Sequence, residues 1–283
     1  MQSPQFQMNS EIELRHWWFV ARRRILAAII DRVLAASPQT MVVDIGCGTG
    51  GNIAALADRY ACVGIDPSQE AIALARARFP QVPFIAGMAP DDLGDVSGQA
   101  RLWLATDVLE HVPDDFWLFS RLVAATAPGA YLLLTVPAGP SLWSPHDESH
   151  GHYRRYDQAR FQRLWQGLPA APLLVSYFNR RLYPLVKLVR MVNRWRGKAG
   201  GQAGTDFKIP AAPVNRLLTA IFAGESRRLV RLLDGRGRGY AAGVSLVALL
   251  RREEGSLVPR HRPADVPEDE HGPPVQSDSV SAR

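Results

Sequence analysis

The stretch VVDIGCGTGG, residues 42–51, decides the fold of this 283-residue chain. An apolar, β-branched run ends in Asp44, and glycine then fills four of the six positions from 46 to 51. Because glycine has no side chain, such a cluster lets the backbone turn sharply and approach a ligand closely. A strand followed by a glycine turn and a helix is typical of the nucleotide-binding corner of an α/β fold.

Around this corner, the sequence alternates between apolar runs and segments with helical spacing. The alternation predicts an α/β fold with a Rossmann-like, doubly wound, seven-stranded, mostly parallel sheet and a helical insert between strands six and seven. We expect strands at 41–45, 61–65, 84–86, 100–106, 130–136, 172–178 and 244–250. We expect helices at 11–36, 52–59, 68–79, 114–126 and 157–166, with two or three more in the insert.

The same pattern divides the chain into five parts. They are an N-terminal capping helix at 1–38, a cofactor-binding core at 39–178, a basic helical lid over the substrate at 179–240, the last core strand at 241–252 and a disordered tail at 253–283. The tail is assigned as disordered because it is rich in proline and charge. A glycine-rich break at 197–204 interrupts the helices of the lid.

Composition favours a cytoplasmic protein. The chain has only two cysteines, Cys47 and Cys62, which argues against a disulfide framework and favours a reducing compartment. The N-terminus lacks the apolar core of a signal peptide. No apolar run reaches the roughly 20 residues that a membrane-spanning helix needs.

Positive charge is concentrated in the insert. Residues 178–240 carry 14 Lys or Arg against 3 Asp or Glu, a net charge of +11 in a chain whose total is +6. Within this block, residues 178–196 have the spacing of an amphipathic, cationic helix. Such a helix fits a cap over the substrate, which is the preferred interpretation. A peripheral contact with an anionic surface such as the inner membrane face, or packing on the sheet with the arginines in solvent, remain alternatives. No recognisable RNA-binding module accompanies the charge, which argues against a nucleic-acid partner.

The glycine spacing by itself leaves the nucleotide open. Gly46, Gly48 and Gly51 also satisfy the dinucleotide pattern, with the acidic Asp66 following about 20 residues later. A carboxylate at the end of the second strand accepts hydrogen bonds from ribose hydroxyls in NAD and in other adenosine ligands alike. The residues therefore allow an oxidoreductase as well as an enzyme with a different adenosine cofactor.

Several motifs in order resemble the class I S-adenosylmethionine (SAM)-dependent methyltransferases. The motifs are DIGCGTG, VGIDPSQEAI, TDVLEHV and LLLTVPA, and the resemblance covers roughly residues 14–156. HWWFVARRRIL and HDESHGHYRRY are similar to segments of the bacterial type 11 and type 23 methyltransferases. The resemblance implies SAM as cofactor, with the methionyl end near Asp44, Gly46, Cys47 and Gly48, the ribose at Asp66 and Pro67, the adenine near Met88 and Ala89, and the reacting end at Asp107 and Val108. Met88 departs from the family pattern, in which many members have an aspartate.

Methyl transfer from SAM needs in-line positioning and, for a hydroxyl or amine acceptor, a base. Residues 146–156 hold the densest cluster of suitable groups and follow the fifth strand, at the sheet edge where ligands of such folds bind. His146 or His150 is the candidate base, with Asp107 as a further catalytic candidate. The candidate substrate-binding residues are Trp18, Arg154, Arg155 and Tyr156.

A metal site is a further hypothesis. Asp107, Glu110 and His111 have the spacing that places three side chains on one face of a helical turn. Two carboxylates and an imidazole suit Mg²⁺ or Mn²⁺. Similar sequences form the metal site of some relatives, but related sequences also occur in metal-independent ones, and the metal-free interpretation is preferred.

These observations predict a SAM-dependent methyltransferase that O-methylates a small or lipid-linked acceptor. Glycolipids, polysaccharide precursors and quinone-like compounds all remain open as acceptors. The alternatives are an RNA methyltransferase that uses the basic insert, a non-catalytic SAM-binding protein and an NAD-dependent oxidoreductase.

Overall fold

A seven-stranded sheet forms the centre of the computed structural model, which describes residues 3–195 and 208–267. The strands are β1 (Ser37–Ile45), β2 (Tyr60–Asp66), β3 (Phe84–Ala86), β4 (Ala100–Thr106), β5 (Tyr131–Pro137), β6 (Ala170–Phe178) and β7 (Ser245–Arg252). Their spatial order is β3-β2-β1-β4-β5-β7-β6. Only the pairings of β7 with β5 and β6 are antiparallel. The predicted Rossmann-like, mostly parallel sheet is confirmed.

Eleven α-helices accompany the sheet within the described residues. They are α1 (Ser3–Ile12), α2 (Trp17–Val33), α3 (Gly51–Ala54), α4 (Gln69–Arg78), α5 (Val96–Gln99), α6 (Asp115–Ala125), α7 (Pro145–Ser149), α8 (Gln158–Arg163), α9 (Tyr183–Trp195), α10 (Ala212–Ala223) and α11 (Ser226–Leu233). The last three occupy the insert between β6 and β7, and the predicted break at 197–204 lies outside the described residues. None of the described helices combines the length and the apolar character needed to cross a bilayer.

Alternating side chains of the strands fill two hydrophobic layers, one on each face of the sheet. Val43 of β1 packs in the layer that contains Phe116 and Phe119 of α6. Its neighbour Val42 packs in the layer that contains Ile25 of α2 and residues of α4, α10 and α11. This arrangement follows from the two-residue period of a strand, which sends successive side chains to opposite faces.

The N-terminal segment differs from the single helix predicted at 11–36. It forms α1 and α2, separated by a turn at 13–16, and the His16 side chain caps α2 by accepting a hydrogen bond from the Trp18 backbone. The turn brings Glu13 against the glycine segment, where its carboxylate accepts a hydrogen bond from Thr49 Oγ1 at 2.9 Å. A helix break of this kind has little sequence signature, because neither glycine nor proline marks it.

Three further predictions need correction. The helix expected at 52–59 is reduced to α3 followed by turns, and residues 137–156, for which the sequence indicates a polar, histidine-rich loop between the fifth strand and the helix at 157–166, contain α7. Residues 253–267, assigned to a disordered tail, run along α6 instead, where the Arg260 backbone nitrogen donates to Ser120 Oγ at 2.9 Å and Val266 is buried. The remainder of the predicted tail, 268–283, lies outside the described residues.

The topology places a crevice at the carboxyl ends of β1 and β4. These strands are adjacent, and the chain leaves them toward opposite faces, with α3 packing in one layer and α6 in the other. Parallel α/β sheets bind their ligands at such a switch in strand order. The glycine segment after β1 and the TDVLEHV segment around the end of β4 therefore meet at one place.

Substitution of Gly50 by alanine tests how tightly the glycine segment is packed, with Gly129→Ala as the control. Gly50 and Gly129 both have a positive φ, +84° and +81°. A Cβ on Gly50 would lie 2.7 Å from Phe84 Cζ, whereas one on Gly129 would meet nothing within 4 Å. Both alanine variants incur the cost of a left-handed residue, about 1 kcal/mol. We expect Gly50→Ala to lose a further 1–3 kcal/mol or so through overpacking, as measured by urea unfolding; equal losses in the two variants would contradict this packing.

Candidate active site

A cavity of about 330 Å³ opens at the carboxyl ends of β1 and β4. The glycine segment lines one side and a group of histidines lines the other, while α1 and α2 supply a wall. Its members include Asn9, Glu13, Trp17, Trp18, Phe19, Arg22, Gly46, Cys47, Gly48, Thr49, Asn52, Thr106, Asp107, Glu110, His111, His146, His150, His152, Arg155 and Val186. One cavity therefore joins the two regions that the sequence singled out.

Two backbone amides hold the Asp66 carboxylate at the end of β2. Gly48 N donates to Oδ2 at 2.9 Å, and Ser68 N donates to Oδ1 at 2.8 Å. Burial raises the pKa of Asp66, and these two hydrogen bonds oppose the rise. A Cβ on Gly48 would meet nothing within 4 Å. The glycine segment thus presents open space beside a fixed carboxylate, which is the arrangement that a ribose and the chain attached to it require.

The carboxyl group of Asp44 lies below the glycine segment and has no hydrogen-bond partner. The residue is fully buried, and neither carboxylate oxygen has a hydrogen-bond partner. Burial raises its pKa to about 8, although the charge of Arg22 acts in the opposite direction. Buried polar groups without partners are uncommon in folded proteins and call for an explanation such as a missing ligand.

Arg22 and Asp107 form an ion pair across the cavity wall. Arg22 also lies over the Trp18 ring, with 4.4 Å from its Cζ to the ring centroid. Burial lowers the pKa of Arg22 to about 10, so the guanidinium remains charged at neutral pH. Asp107 has a positive φ of +58°, and its Oδ1 accepts a hydrogen bond from Thr135 Oγ1 at 3.0 Å. A non-glycine residue in this conformation is strained, and such residues cluster at functional sites.

The histidine side of the cavity is built on α7 and the residues after it. His150 Nδ1 lies 2.8 Å from the backbone oxygen of His146, and the two rings are 4.0 Å apart. A carbonyl oxygen only accepts, so the proton of a neutral His150 is on Nδ1 and the lone pair is on Nε2. His152 Nδ1 lies 3.0 Å from Asp147 Oδ1 and is oriented in the same way by a carboxylate.

Asp147 anchors this side of the cavity. Its carboxylate is fully buried and also accepts a hydrogen bond from Arg155 at 2.7 Å. Burial alone would raise the pKa of Asp147, but the hydrogen bond from His152 and the charge of Arg155 lower it well below its usual range. Asp147 is therefore a permanent anion that fixes its two partners.

Glu110, His111 and His152 bring three potential metal-ligand atoms within 4.8 Å of one another. Neither carboxylate oxygen of Glu110 has a hydrogen-bond partner, and burial raises its pKa to about 8. Burial lowers the pKa of His111 to about 3, which keeps its imidazole neutral as a metal ligand must be. One carboxylate and two imidazoles fit Mn²⁺ better than Mg²⁺, which prefers oxygen ligands. The predicted third ligand, Asp107, pairs with Arg22 instead, and His152 takes the third place in the cluster.

The cavity brings together ten of the predicted site residues. They are Trp18, Gly46, Cys47, Gly48, Asp107, Glu110, His111, His146, His150 and Arg155. The other eight do not line it: Asp44, Asp66, Pro67, Met88, Ala89, Val108, Arg154 and Tyr156. Val108 packs against the glycine segment, since a Cβ on Gly46 would lie 2.7 Å from its Cγ2.

Two of these eight side chains have structural contacts in place of the predicted contact with substrate. Arg154 donates to the backbone oxygens of Val112 at 2.6 Å and Pro113 at 2.7 Å, which holds the segment after β4. Tyr156 is fully buried, and its hydroxyl donates to Asp115 at 2.7 Å. Within residues 152–156, His152 and Arg155 therefore line the cavity, whereas Arg154 and Tyr156 make structural contacts outside it.

Two more of the predicted cofactor residues differ in exposure at the end of β3. Ala89 is buried in the core, whereas the Met88 side chain is 54% exposed. The Met88 backbone nitrogen donates to Asp92 Oδ2 at 2.7 Å. The region where the resemblance implies the adenine therefore offers an exposed methionine and a neighbouring acid.

Sequence reasoning missed several residues of the cavity wall. Glu13 lies in the unforeseen break between α1 and α2, Asn9 lies on α1, and no motif marks either residue. Asn52 donates from Nδ2 to Thr106 Oγ1 at 3.0 Å and so connects the segment after β1 with the end of β4. Arg22 stands in the quoted aromatic-basic segment, where its helical position relative to Trp18 could have identified it.

Residues 18–183, more than half of the chain, match the family model described as "Methyltransferase domain". The chain is similar to a trans-aconitate 2-methyltransferase of Variovorax paradoxus (strain S110), with 41% identity over 103 residues that cover 34% of this chain and 38% of that protein. Matches to further proteins of that name cover 45% or 46% of their length. The chain therefore spans less than half the length of the curated relatives it matches.

Two solved structures share the fold at low sequence identity. A chain of a Haloferax volcanii complex that contains the Trm112 methyltransferase activator has a TM-score of 0.54 at 16% identity, covering 87% of this chain and 94% of that one. Geranyl diphosphate C-methyltransferase from Streptomyces coelicolor A3(2) has a TM-score of 0.51 at 14% identity, covering 80% and 78%. These likenesses establish the fold of the described residues.

Because the carboxyl group of Asp44 is buried without a partner, we expect its replacement by asparagine to stabilise the folded protein, and to do so more at higher pH. The unfolded chain releases this proton near pH 4, while the folded protein retains it up to about pH 8. Wild-type stability therefore falls as pH rises between these values. The stability advantage of Asp44→Asn should grow by about 3 kcal/mol between pH 5 and pH 8, measured by urea unfolding of the ligand-free protein.

The matched control is Asp95→Asn, which removes an exposed carboxylate. Its effect on stability should stay nearly constant over the same pH range. The account of Asp44 is contradicted if the two variants show the same pH dependence.

Proposed function

Because this chain belongs to the methyltransferase-domain family, we propose that it transfers a methyl group from SAM to a hydroxyl oxygen of a small or lipid-linked acceptor. The observation that carries the proposal is the single cavity shared by the glycine segment and the histidine group. The glycine side has the features of a cofactor site, and the opposite side offers bases. Methyl transfer requires donor and acceptor to meet in line within one enclosed space.

The residues on the glycine side fit SAM. Asp66 offers a fixed carboxylate for ribose hydroxyls, and the open space over Gly48 leaves room for the rest of the cofactor. The Arg22–Asp107 pair offers a cation and an anion. The amino-acid end of SAM carries a carboxylate and an ammonium group, so this pair complements both charges. When bound, SAM supplies a sulfonium methyl that is already electrophilic.

His150 is the proposed base. Its Nδ1 donates to the His146 backbone oxygen, so a neutral ring presents the Nε2 lone pair for the acceptor proton. His150 lines the cavity and is buried, so its ring is held in one orientation. With SAM bound, His150 Nε2 would accept the hydroxyl proton of the acceptor while the methyl group passes from sulfur to the acceptor oxygen, leaving S-adenosylhomocysteine and a protonated imidazole. His146 is the alternative base named by the sequence, and it contributes the carbonyl that orients His150.

Glu110, His111 and His152 would hold a divalent cation if one takes part. Such an ion would lower the pKa of an acceptor hydroxyl and orient it. The unpartnered Glu110 carboxylate supports this role, because a cation would keep it ionised despite its burial. Without an ion, the same carboxyl is protonated over much of the neutral range.

The charges of the cavity favour a hydroxyl-bearing acceptor over a polycarboxylate. Trans-aconitate, named for the curated relatives, is a tricarboxylate. Within the described residues, two arginines line the cavity: Arg22 is assigned to the amino-acid end of SAM together with Asp107, and Arg155 is paired with the buried Asp147, which leaves neither for the carboxylates of an acceptor. The aromatic wall formed by Trp17, Trp18 and Phe19 instead supports an acceptor with an apolar part.

Methyl-labelled SAM tests the proposal directly. We expect label from the purified protein to appear in the small-molecule or lipid fraction of a cell extract, and His150→Gln to lower kcat by about 10²–10⁴-fold. His261→Gln is the matched control, because this histidine stacks on Trp117 outside the cavity. An equal rate in the wild type and His150→Gln would exclude His150 as the base. Label in the RNA fraction would overturn the proposed acceptor class.

A further inference from the structure

A second cavity, of about 750 Å³, lies among α2, α10, α11 and the segment after β6. Its charged wall consists of Arg24, Arg181, Arg227, Arg228 and Arg231, completed by Ser226, Tyr240 and small residues of α10. No acidic side chain of the described residues lines it, and it shares no lining residue with the candidate active site. Arg24 lies two positions beyond Arg22 on α2, about 200° around the helix, so the two arginines serve different cavities.

Three of the five guanidinium groups have no partner within the described part of the chain. Arg24, Arg227 and Arg231 make neither an ion pair nor a side-chain hydrogen bond there. The two acids on or next to α11 have other partners: Asp234 pairs with Arg32, and Glu225 is fully buried and accepts a hydrogen bond from the Arg181 backbone at 2.8 Å. Within residues 3–195 and 208–267, no carboxylate therefore forms an ion pair with Arg24, Arg227 or Arg231.

The other two guanidinium groups are held in place by backbone oxygens. Arg181 donates to the oxygen of Ile221 at 3.1 Å. Arg228 donates to the oxygen of Arg238 at 2.9 Å and lies over the Tyr240 ring, with its Cζ 4.5 Å from the centroid. Fixed donors bind an anion with less loss of side-chain entropy than mobile ones. The cavity is thus partly organised before any ligand arrives.

Five like charges around one cavity repel one another, and a multiply charged anion relieves that repulsion. The arginines come from three separate segments, which are α2, α11 and the segment after β6. A phosphate group offers three or four acceptor oxygens for several guanidinium groups to share, whereas a carboxylate offers two. From this geometry we propose that the cavity is a binding site for phosphate groups, taking a phosphomonoester or diphosphate through arginine hydrogen bonds.

The phosphate can belong to a free metabolite or to a lipid headgroup. Exposed apolar side chains adjoin the cavity: Leu217 is 60% exposed on α10, one turn before the lining residue Ala220. On α9, which begins two residues after the lining residue Arg181, Leu185 and Leu188 are each more than half exposed. This neighbourhood suits a lipid source, but the arginine cavity recognises the same chemistry in both cases.

Calorimetry with inorganic pyrophosphate at constant ionic strength tests the site. The test variant is Arg227→Gln/Arg231→Gln. The control is Arg216→Gln/Arg236→Gln, which removes the same charge from exposed arginines of the same basic block outside the cavity. We expect the control to bind like the wild type and the test variant to bind at least about tenfold more weakly. Thermal unfolding checks that both variants are folded.

The proposal is overturned if pyrophosphate fails to bind the wild type. It is also overturned if the two double variants lose affinity equally, because the affinity would then depend on the net charge of the basic block and not on the arginines of the cavity. Citrate binding as tightly as pyrophosphate would overturn the phosphate assignment. A vesicle arm distinguishes the sources, using phosphatidylcholine alone or with about a quarter of phosphatidylglycerol. Flotation with the anionic vesicles, reversed by pyrophosphate, supports a lipid headgroup; pyrophosphate binding without flotation supports a free phosphate compound. None of these measurements depends on methyl transfer.

Discussion

Close contact between the carboxyl ends of β1 and β4 is the constraint on which the rest of the structure depends. Gly46 has no side chain, and a Cβ there would lie 2.7 Å from Val108 Cγ2. This approach brings the glycine segment beside Asp107, whose positive φ turns the chain toward the opposite face of the sheet. Donor and acceptor groups can share one cavity only because the two strand ends are this close. The helices then close the space, with α1 and α2 on one side and α7 on the other.

The site concentrates polar groups that a purely structural core would avoid. Asp44 and Glu110 are buried carboxyls without hydrogen-bond partners, and burial raises the pKa of each to about 8. Both cost stability in the ligand-free protein. By contrast, Asp147 and Asp115 are equally buried but have hydrogen-bond partners. Asp147 pairs with Arg155 and His152, and Asp115 accepts a hydrogen bond from Tyr156. Of the two unsupported carboxyls, Glu110 lines the cavity and Asp44 lies directly below the glycine segment, whereas neither Asp147 nor Asp115 lines the cavity.

The sequence predicted the fold, and its motifs mark segments that line the cavity, because both depend on local patterns. Strand periodicity and the glycine cluster yielded the parallel sheet, and the motifs after β1 and β4 identified Gly48, Asp107 and Glu110. What the sequence did not reveal depends on contacts between distant segments. The break that brings Glu13 to Thr49 has no local signature, and the sequence could not tell that Arg154 would bind backbone oxygens while Arg155 would reach the cavity. The three-residue cluster contains His152 where the sequence predicted Asp107, and this too depends on a contact between segments that are distant in the chain.

Binding of S-adenosylhomocysteine, the product form of the cofactor, tests the central claim most directly. Calorimetry would compare the wild type with Asp66→Asn and with Asp58→Asn, an exposed acid outside the cavity. The account predicts one site in the wild type and in Asp58→Asn, and binding weaker by about 10–100-fold in Asp66→Asn, because the ribose hydroxyls lose a charged acceptor. No binding to the wild type, or equal affinity in all three proteins, would contradict the assignment of the glycine segment and Asp66 to the cofactor.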